Sequence, residues 1–278
     1  MSDSGADVAR TYYNSSDAET FYSTIWGGED IHVGLYEAED EAIAIASRRT
    51  VRTLADKLEG LRAGDRVLDL GSGYCGASRY LADRFGVQID AVNVSEVENE
   101  RARRLNANAG MGEQISVHDA SFEALPVGDG GHAAAWSQDA ILHSSDRPKV
   151  FREVARALRP GGVFVFTDPM QADDCPAGVL DPILARIHLA SLGSVGAYRV
   201  HAAEAGLKLE SFDDYTTQLV AHYSAVRRET ARRTAELIEA GVDAGYIERM
   251  IAGLGHWVEG GKKGHLRWGM FTIVKPAS

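Results

Sequence analysis

Lysine and cysteine are scarce in this chain, and no apolar run is long. Among 278 residues there are 6 Lys against 23 Arg, and only 2 Cys. Cys75 and Cys175 lie far apart with no CxxC spacing. That spacing offers no zinc site and suits a reducing compartment, so no metal is expected. No stretch approaches the ~18 apolar residues of a membrane-spanning helix. The opening segment MSDSGADVARTYYNSSDAE has no apolar core of the kind a secretory leader carries, so a cytoplasmic protein is expected. Basic charge is short as well, with 29 Lys+Arg against 40 Asp+Glu and a net charge of −11. That sign disfavours nucleic acid or an anionic membrane as partner. Scarce lysine beside excess acid fits either a salt-adapted surface or GC-rich coding.

What is present is ordinary globular composition, 45% hydrophobic and 25% charged. Such a chain can build a core without disulfide or metal staples. At ~150 residues per domain the length allows two domains, and one α/β domain with insertions fits equally. No internal repeat appears. Residues 1–60 read as a helical lid segment, with an amphipathic helix over Glu41–Leu58. From residue 61 strands and helices alternate. RVLDL (66–70), QIDAV (88–92), QISVH (114–118), HAAAW (132–136) and VFVFTD (163–168) read as strands, with helices over Ala77–Phe85, Ser95–Asn108 and Arg147–Leu158. That rhythm predicts an α/β, doubly wound parallel sheet covered on both faces. Residues 169–205 interrupt it with prolines and a helix near Ile183–Leu192. LKLESFDD (207–214) and WGMFTIV (268–274) read as late strands, with a mostly helical stretch at 215–266 between them. The two interruptions, 169–205 and 215–266, are read as cap insertions over a site.

The sharpest motif is VLDLGSGYCG (67–76), a glycine loop between a strand and a helix. Glycine turns tightly and lets a ligand approach the backbone, so a side chain at Gly71 is expected to fill ligand space. Gly71, Gly73 and Gly76 also complete a GxGxxG pattern, which makes a nicotinamide enzyme the first alternative. Asp69 argues for S-adenosylmethionine instead, because a carboxylate accepts from the ligand's ammonium but repels a pyrophosphate. Asn93 ends the second strand, where a polar group reaches ribose hydroxyls. Asp119-Ala120-Ser121-Phe122 ends the third, where an adenine can lie against an apolar side chain. The plain alternative for all of these is a set of turn and cap residues.

VLDLGSGYCG, VNVSEVENER, ASFEALP, WSQDAILHS, LRPGGVFVFTDP and WGMF together resemble a class I S-adenosylmethionine-dependent methyltransferase. FYSTIWGGEDIHVGLYE (21–37), WSQDAILHSSDR (136–147), TDPMQADDCPAGVLDPILARIHL (167–189) and HWVEGGKKGHLRWG (256–269) narrow the resemblance to the sarcosine/dimethylglycine N-methyltransferases of glycine betaine synthesis. It covers nearly the whole chain. Phosphoethanolamine N-methyltransferases share the DAILH segment. The resemblance implies a Rossmann-like sheet of about seven strands, the last antiparallel, with S-adenosyl-L-methionine as cofactor. It implies cofactor contacts from Tyr13, Ile31, His32, Asp69, Gly71, Ser72 and Gly73. Further along it implies Asn93, Val94, Ala120, Ser121, Phe122, Gln138 and His143. Two residues depart from the family pattern: Cys75 stands where glycine is usual, and Asn93 where an acid is common.

The implied reaction moves a methyl group from a sulfonium to an amine in line, and positioning removes much of its barrier. The acceptor would be a small amine bearing a carboxylate. Arg186 and Arg199 are the candidate clamp, since a guanidinium fork suits a carboxylate; surface ion pairs are the plain alternative. Trp26, Tyr36, Trp136, Met170, Tyr198 and Trp268 are candidate walls around the methyl groups, because aromatic faces attract alkylammonium cations, and Gln138 is expected to face cofactor or acceptor. Most aromatics are core residues. His143 with Tyr13 could handle the acceptor's proton, or His143 could be a packing residue. Competing readings are a phosphobase, sugar or prenyl methyltransferase, and a non-catalytic S-adenosylmethionine-binding protein. Monomer and homodimer both remain open.

Overall fold

The computed structural model describes residues 16–26 and 28–277. Seven strands form one sheet: β1 (Arg66–Leu70), β2 (Gln88–Asn93), β3 (Ile115–Asp119), β4 (His132–Gln138), β5 (Leu158–Gln171), β6 (Lys208–Asp214) and β7 (Leu266–Val274). Their order is β3-β2-β1-β4-β5-β7-β6. The first five pair in parallel, and β7 runs antiparallel to both β5 and β6. This is the doubly wound architecture expected, with its antiparallel last strand. Sequential parallel pairing runs outward from β1 in both directions, so the chain switches direction across the sheet between β1 and β4. At such a switch point the loops after the strands part and leave a crevice.

Ten helices are described: α1 (Ser16–Trp26), α2 (Ile43–Ala55), α3 (Gly76–Phe85), α4 (Glu96–Asn108), α5 (Arg147–Ala157), α6 (Asp181–Arg186), α7 (Val195–Glu204), α8 (Thr216–Arg232), α9 (Thr234–Glu239) and α10 (Ala244–Lys262). Their starts follow ordinary capping chemistry. Ser95 accepts from the Glu98 amide at 3.2 Å, Asp146 from Lys149 at 3.0 Å and Asp243 from Tyr246 at 2.7 Å.

The strands bury both faces. Val67, Ile89, Ala91, Ala134, Trp136 and Val165 share one core with residues of α2, α3 and the two long late helices. Leu68, Leu70, Val92, Phe164, Phe166 and Phe271 share the other with α5 and α7. There Phe166 and Phe271 stack at 4.4 Å and 7°. Burial of such a side chain contributes about 1.5–3 kcal/mol, so this layer is a main source of stability. A third cluster joins α1 to the late helices through Phe21, Ile25, Trp26, Val226, Leu254 and Met250.

Three local expectations change. The helix expected near Ile183–Leu192 is the short α6, which ends at Arg186. A second helix, α7, follows it; its glycine and weak periodicity hide it in the sequence. The strand expected over 163–168 begins earlier, at Leu158, so that Arg159–Gly162 lies inside β5, where a register irregularity at His132/Ala134 of β4 absorbs it.

Candidate active site

A cleft of about 960 Å³, part of it open solvent, lies at the carboxyl ends of β1, β2 and β4. Its floor is the glycine loop. The Gly71 amide donates to the Val92 carbonyl at 2.8 Å and fastens the loop to β2. Gly71 has φ +74°, and a Cβ there would collide with the Ala140 side chain. Packing against Ala140, just past β4, therefore already requires glycine here, and Gly71 also lines the cleft where the sequence expected a ligand. Gly73, at φ +48°, is the open position: a Cβ there meets no protein atom within 4 Å. Cys75 caps α3 in the left-handed region at φ 57°, with burial pushing its thiol up to about 11, so it is an inert packing group.

Asp69 is buried, and burial raises its carboxyl to about 7 although Ser78 Oγ donates to it at 2.5 Å. Among the described residues it pairs with no cation, so an ammonium in the cleft is a partner it can take. Asn93 Nδ2 donates to Glu98 Oε2 at 3.0 Å, and both side chains line the cleft. The acid that Asn93 lacks is thus supplied five residues later by Glu98. Val94, Ser121, Phe122, Gln138 and Ala140 complete the far wall, with Ile31 and His32 opposite. Ala120 stays outside the lining; its amide donates to the Asn93 carbonyl at 3.1 Å. Ser72 Oγ and both amide atoms of Gln138 are buried without a partner among the described residues. Orphaned polar atoms of this kind mark places a polar ligand satisfies.

A second cavity of about 770 Å³ opens beside the first. Ile31, His32, Asp139 and His143 line both. Its walls are Tyr22, Trp26, Tyr223 and Trp257, with Met250 and Leu254 beneath. Arg186 reaches into it from the end of α6. Its stem crosses Gly253, where a Cβ would collide with it, and its Nη1 lies 2.9 Å from Met250 Sδ. Among the described residues Arg186 faces no carboxylate, and its Nε is buried without a partner.

Asp139 holds the two cavities apart. It sits at φ 50°, accepts from the Val33 amide at 2.7 Å, and takes Thr167 Oγ1 and Trp268 Nε1 at 2.8 Å each. Burial raises its carboxyl, with the nearby His32 and these donors pulling the other way. His143 ends a 3-10 turn, Ile141–His143; burial, aided by the Arg147 charge, lowers it to about 4 and keeps the ring neutral.

The structure separates several residues that the sequence grouped. Tyr198 is wholly buried in the phenylalanine layer, 5.5 Å from Phe151, and its hydroxyl donates to Asp168 at 2.5 Å. Met170 and Trp268 are also fully buried and line neither cavity; Trp268 spends its N–H on Asp139. Arg199 is exposed on α7, away from Arg186's cavity, so the two arginines form no clamp. Tyr36 stands one residue back from the second cavity, its hydroxyl 3.1 Å from His222 Nδ1. Tyr13 lies outside the described residues. Sequence reasoning missed Asp30, Tyr74 and Glu98 in the cleft, and Tyr22, His222, Tyr223 and Trp257 in the second cavity.

A family profile described as a methyltransferase domain matches residues 68–166. A dimethylglycine N-methyltransferase of Parasynechococcus marenigrum (strain WH8102) is 54% identical over 97% of this chain and 96% of its own. A sarcosine/dimethylglycine N-methyltransferase of Halorhodospira halochloris is 52% identical over 98% of both. The chain belongs to the class I S-adenosylmethionine-dependent methyltransferases. A crystal structure of a Galdieria sulphuraria methyltransferase superposes with a TM-score of 0.90 at 42% identity, covering 96% of this chain and 100% of that one. S-adenosyl-L-methionine is the methyl donor of this methyltransferase, and the cleft's orphaned Ser72 and Gln138 atoms and its cation-free Asp69 fit that ligand.

Proposed function

We propose that this methyltransferase acts on sarcosine and dimethylglycine and yields glycine betaine. The observation that carries the reading is the second cavity. It joins the cofactor cleft at His143, is walled by four aromatic rings, and holds Arg186 paired with no carboxylate among the described residues. Aromatic faces suit a tertiary amine and its quaternary product, and a guanidinium suits the carboxylate beside it. Relatives named for sarcosine and dimethylglycine methylation support the same acceptors. Two free cysteines support a reducing, cytoplasmic setting. Among the described residues no helix is long and apolar enough to cross a membrane.

In this reading Asp69 takes the ammonium of the bound donor, and Ile31 and His32 close over its carboxylate end. Asn93 with Glu98 holds the ribose. Phe122, with Val94 and the Ala120–Ser121 backbone, holds the adenine, and Gln138 faces the junction of the two cavities. The bound sulfonium supplies the methyl group. The protein excludes water, aligns the amine and gives its proton an acceptor in the neutral His143 ring, assisted by Tyr13.

The test is an acceptor panel of glycine, sarcosine, dimethylglycine and phosphoethanolamine with product identified by mass. Methylation of sarcosine and dimethylglycine is expected; turnover of phosphoethanolamine alone overturns the reading. Arg186→Lys should raise the KM for dimethylglycine about tenfold, because lysine keeps charge but loses the planar fork. Arg199→Lys serves as the control and should leave KM in place.

A further inference from the structure

His222 lies on α8, fully buried, and lines the second cavity. Two groups fix its chemistry. The Gly34 amide donates to Nδ1 at 3.2 Å, and the Tyr36 hydroxyl reaches the same atom at 3.1 Å. An amide N–H can only donate, so Nδ1 carries a lone pair and no proton. The ring's single proton therefore sits on Nε2. Burial, with the nearby His32, lowers the ring to about 3, so this neutral tautomer persists across the physiological range. Nε2 is buried and has no partner among the described residues. A buried N–H without an acceptor costs about 1–3 kcal/mol unless a ligand satisfies it.

The same cavity holds two further buried donors without partners, Nε of Arg186 and Nε1 of Trp257. The lining offers Asp139 as its one carboxylate, and the oxygens of Asp139 already accept from Val33, Thr167 and Trp268. His32 Nε2 in the same lining is also buried without a partner, with its Nδ1 at the Val33 carbonyl, so three donors outnumber the acceptor left to them and suit a ligand with more than one acceptor oxygen.

We infer that His222 is a specificity residue: its Nε2–H, in the same cavity as the Arg186 guanidinium, binds the carboxylate of the amino-acid acceptor, and Tyr36 and Gly34 hold the ring in the donating tautomer. The inference rests on the proposed acceptor class and adds a residue to its recognition. It also denies His222 the role of base, because Nδ1 is engaged and Nε2 already carries the proton. Tyr36, expected at the acceptor itself, acts through His222 as a positioning residue.

Two isosteric replacements separate the ring's functions. In His222→Asn the amide oxygen falls near the Nδ1 position and still accepts from Gly34 and Tyr36, while the donor into the cavity is gone. In His222→Gln the amide nitrogen reaches the Nε2 position and restores the donor. Steady-state kinetics with dimethylglycine should show KM raised about tenfold in His222→Asn, with kcat at saturation and the Kd for S-adenosylhomocysteine within about twofold of the parent. His222→Gln should recover most of the KM. An unchanged KM in His222→Asn, or an equal KM defect in both variants, overturns the inference and leaves the acceptor assignment standing. A parent enzyme that methylates neither sarcosine nor dimethylglycine overturns the acceptor assignment, and this inference with it. Thermal melts of both variants control for folding: a variant with a defective KM and a parental melting curve carries the test.

Discussion

Two sets of buried acids in this molecule behave in opposite ways. Asp90, within β2, is surrounded by donors that bear or can bear charge: Arg66 of β1 at 2.5 Å, His118 of β3 at 3.0 Å and His132 of β4 at 2.9 Å. Burial alone would raise its carboxyl, but these bonds more than offset that and hold it well below the usual carboxylate range. One side chain thus ties four neighbouring strands. Asp69, Asp139 and Asp168 lie at the carboxyl ends of the strands and meet only neutral donors, such as Ser78, Trp268 and Tyr198. Burial raises Asp69 to about 7 and Asp168 to about 8, and raises Asp139 as well. An acid placed among cations stays ionised and stabilises the fold, whereas an acid buried among neutral donors holds its proton to higher pH, and ionising it costs stability.

The strongest way to break this contrast is Asp90→Ala. It removes the bonds to three strands and leaves His132 buried without an acceptor, so urea unfolding should show a loss of about 2–3 kcal/mol. Affinity for S-adenosylhomocysteine should stay within about twofold; a large fall would mean that the knot also shapes the site. Asp69→Asn should do the reverse. Calorimetry should give about tenfold weaker S-adenosylhomocysteine binding, or ~1.4 kcal/mol, with no loss of stability. In the parent that affinity should fall as pH drops through about 7, because the carboxyl must be ionised to take an ammonium.

The smallest effect sharpens the contrast through pH. A raised folded-state pKa means that the stabilisation is complete below the ordinary carboxylate value and is lost as pH rises through the folded one. The ligand-free protein should therefore melt at lower temperature as pH rises from 6 to about 8, with Asp168 contributing to the fall. Asp168→Asn keeps an acceptor for the Leu142 amide and a partner for the Tyr198 hydroxyl, and should flatten that slope by under ~1 kcal/mol. Asp90 acts in the opposite sense, its contribution being lost as pH falls below the carboxylate range.

The cofactor cleft was the legible half of the site. RVLDL is β1 residue for residue, and the glycine loop, Asn93, Ser121 and Phe122 follow strand ends that sequence pattern locates. A cleft built at strand ends inherits its residues from the strand register. The second cavity takes most of its walls from elsewhere. Trp26, Arg186, His222 and Trp257 come from α1, α6, α8 and α10, and only the packing of those helices brings them together. Tyr198 and Arg199 show the same limit. They are adjacent in sequence, yet the α7 backbone turns one into the phenylalanine layer and the other to solvent. Glu98 was missed for another reason. An acid at the third helical position reads as helix-end chemistry, and its reach back to Asn93 is visible only in three dimensions.

The short segment from Ile31 to Gly34 serves as a common wall. Trp26 and Ser47 donate to the His32 carbonyl, Thr50 to that of Val33, and Asp139 and His222 accept the amides of Val33 and Gly34. Because Ile31 and His32 line both cavities, any ordering of this wall by one ligand is inherited by the other. Thermodynamic reciprocity then fixes the size of the effect: the factor by which a bound donor tightens the acceptor is the factor by which the acceptor tightens the donor. A wall shared in this way would make a ligand of one cavity a heterotropic effector of a ligand of the other, with no second subunit required.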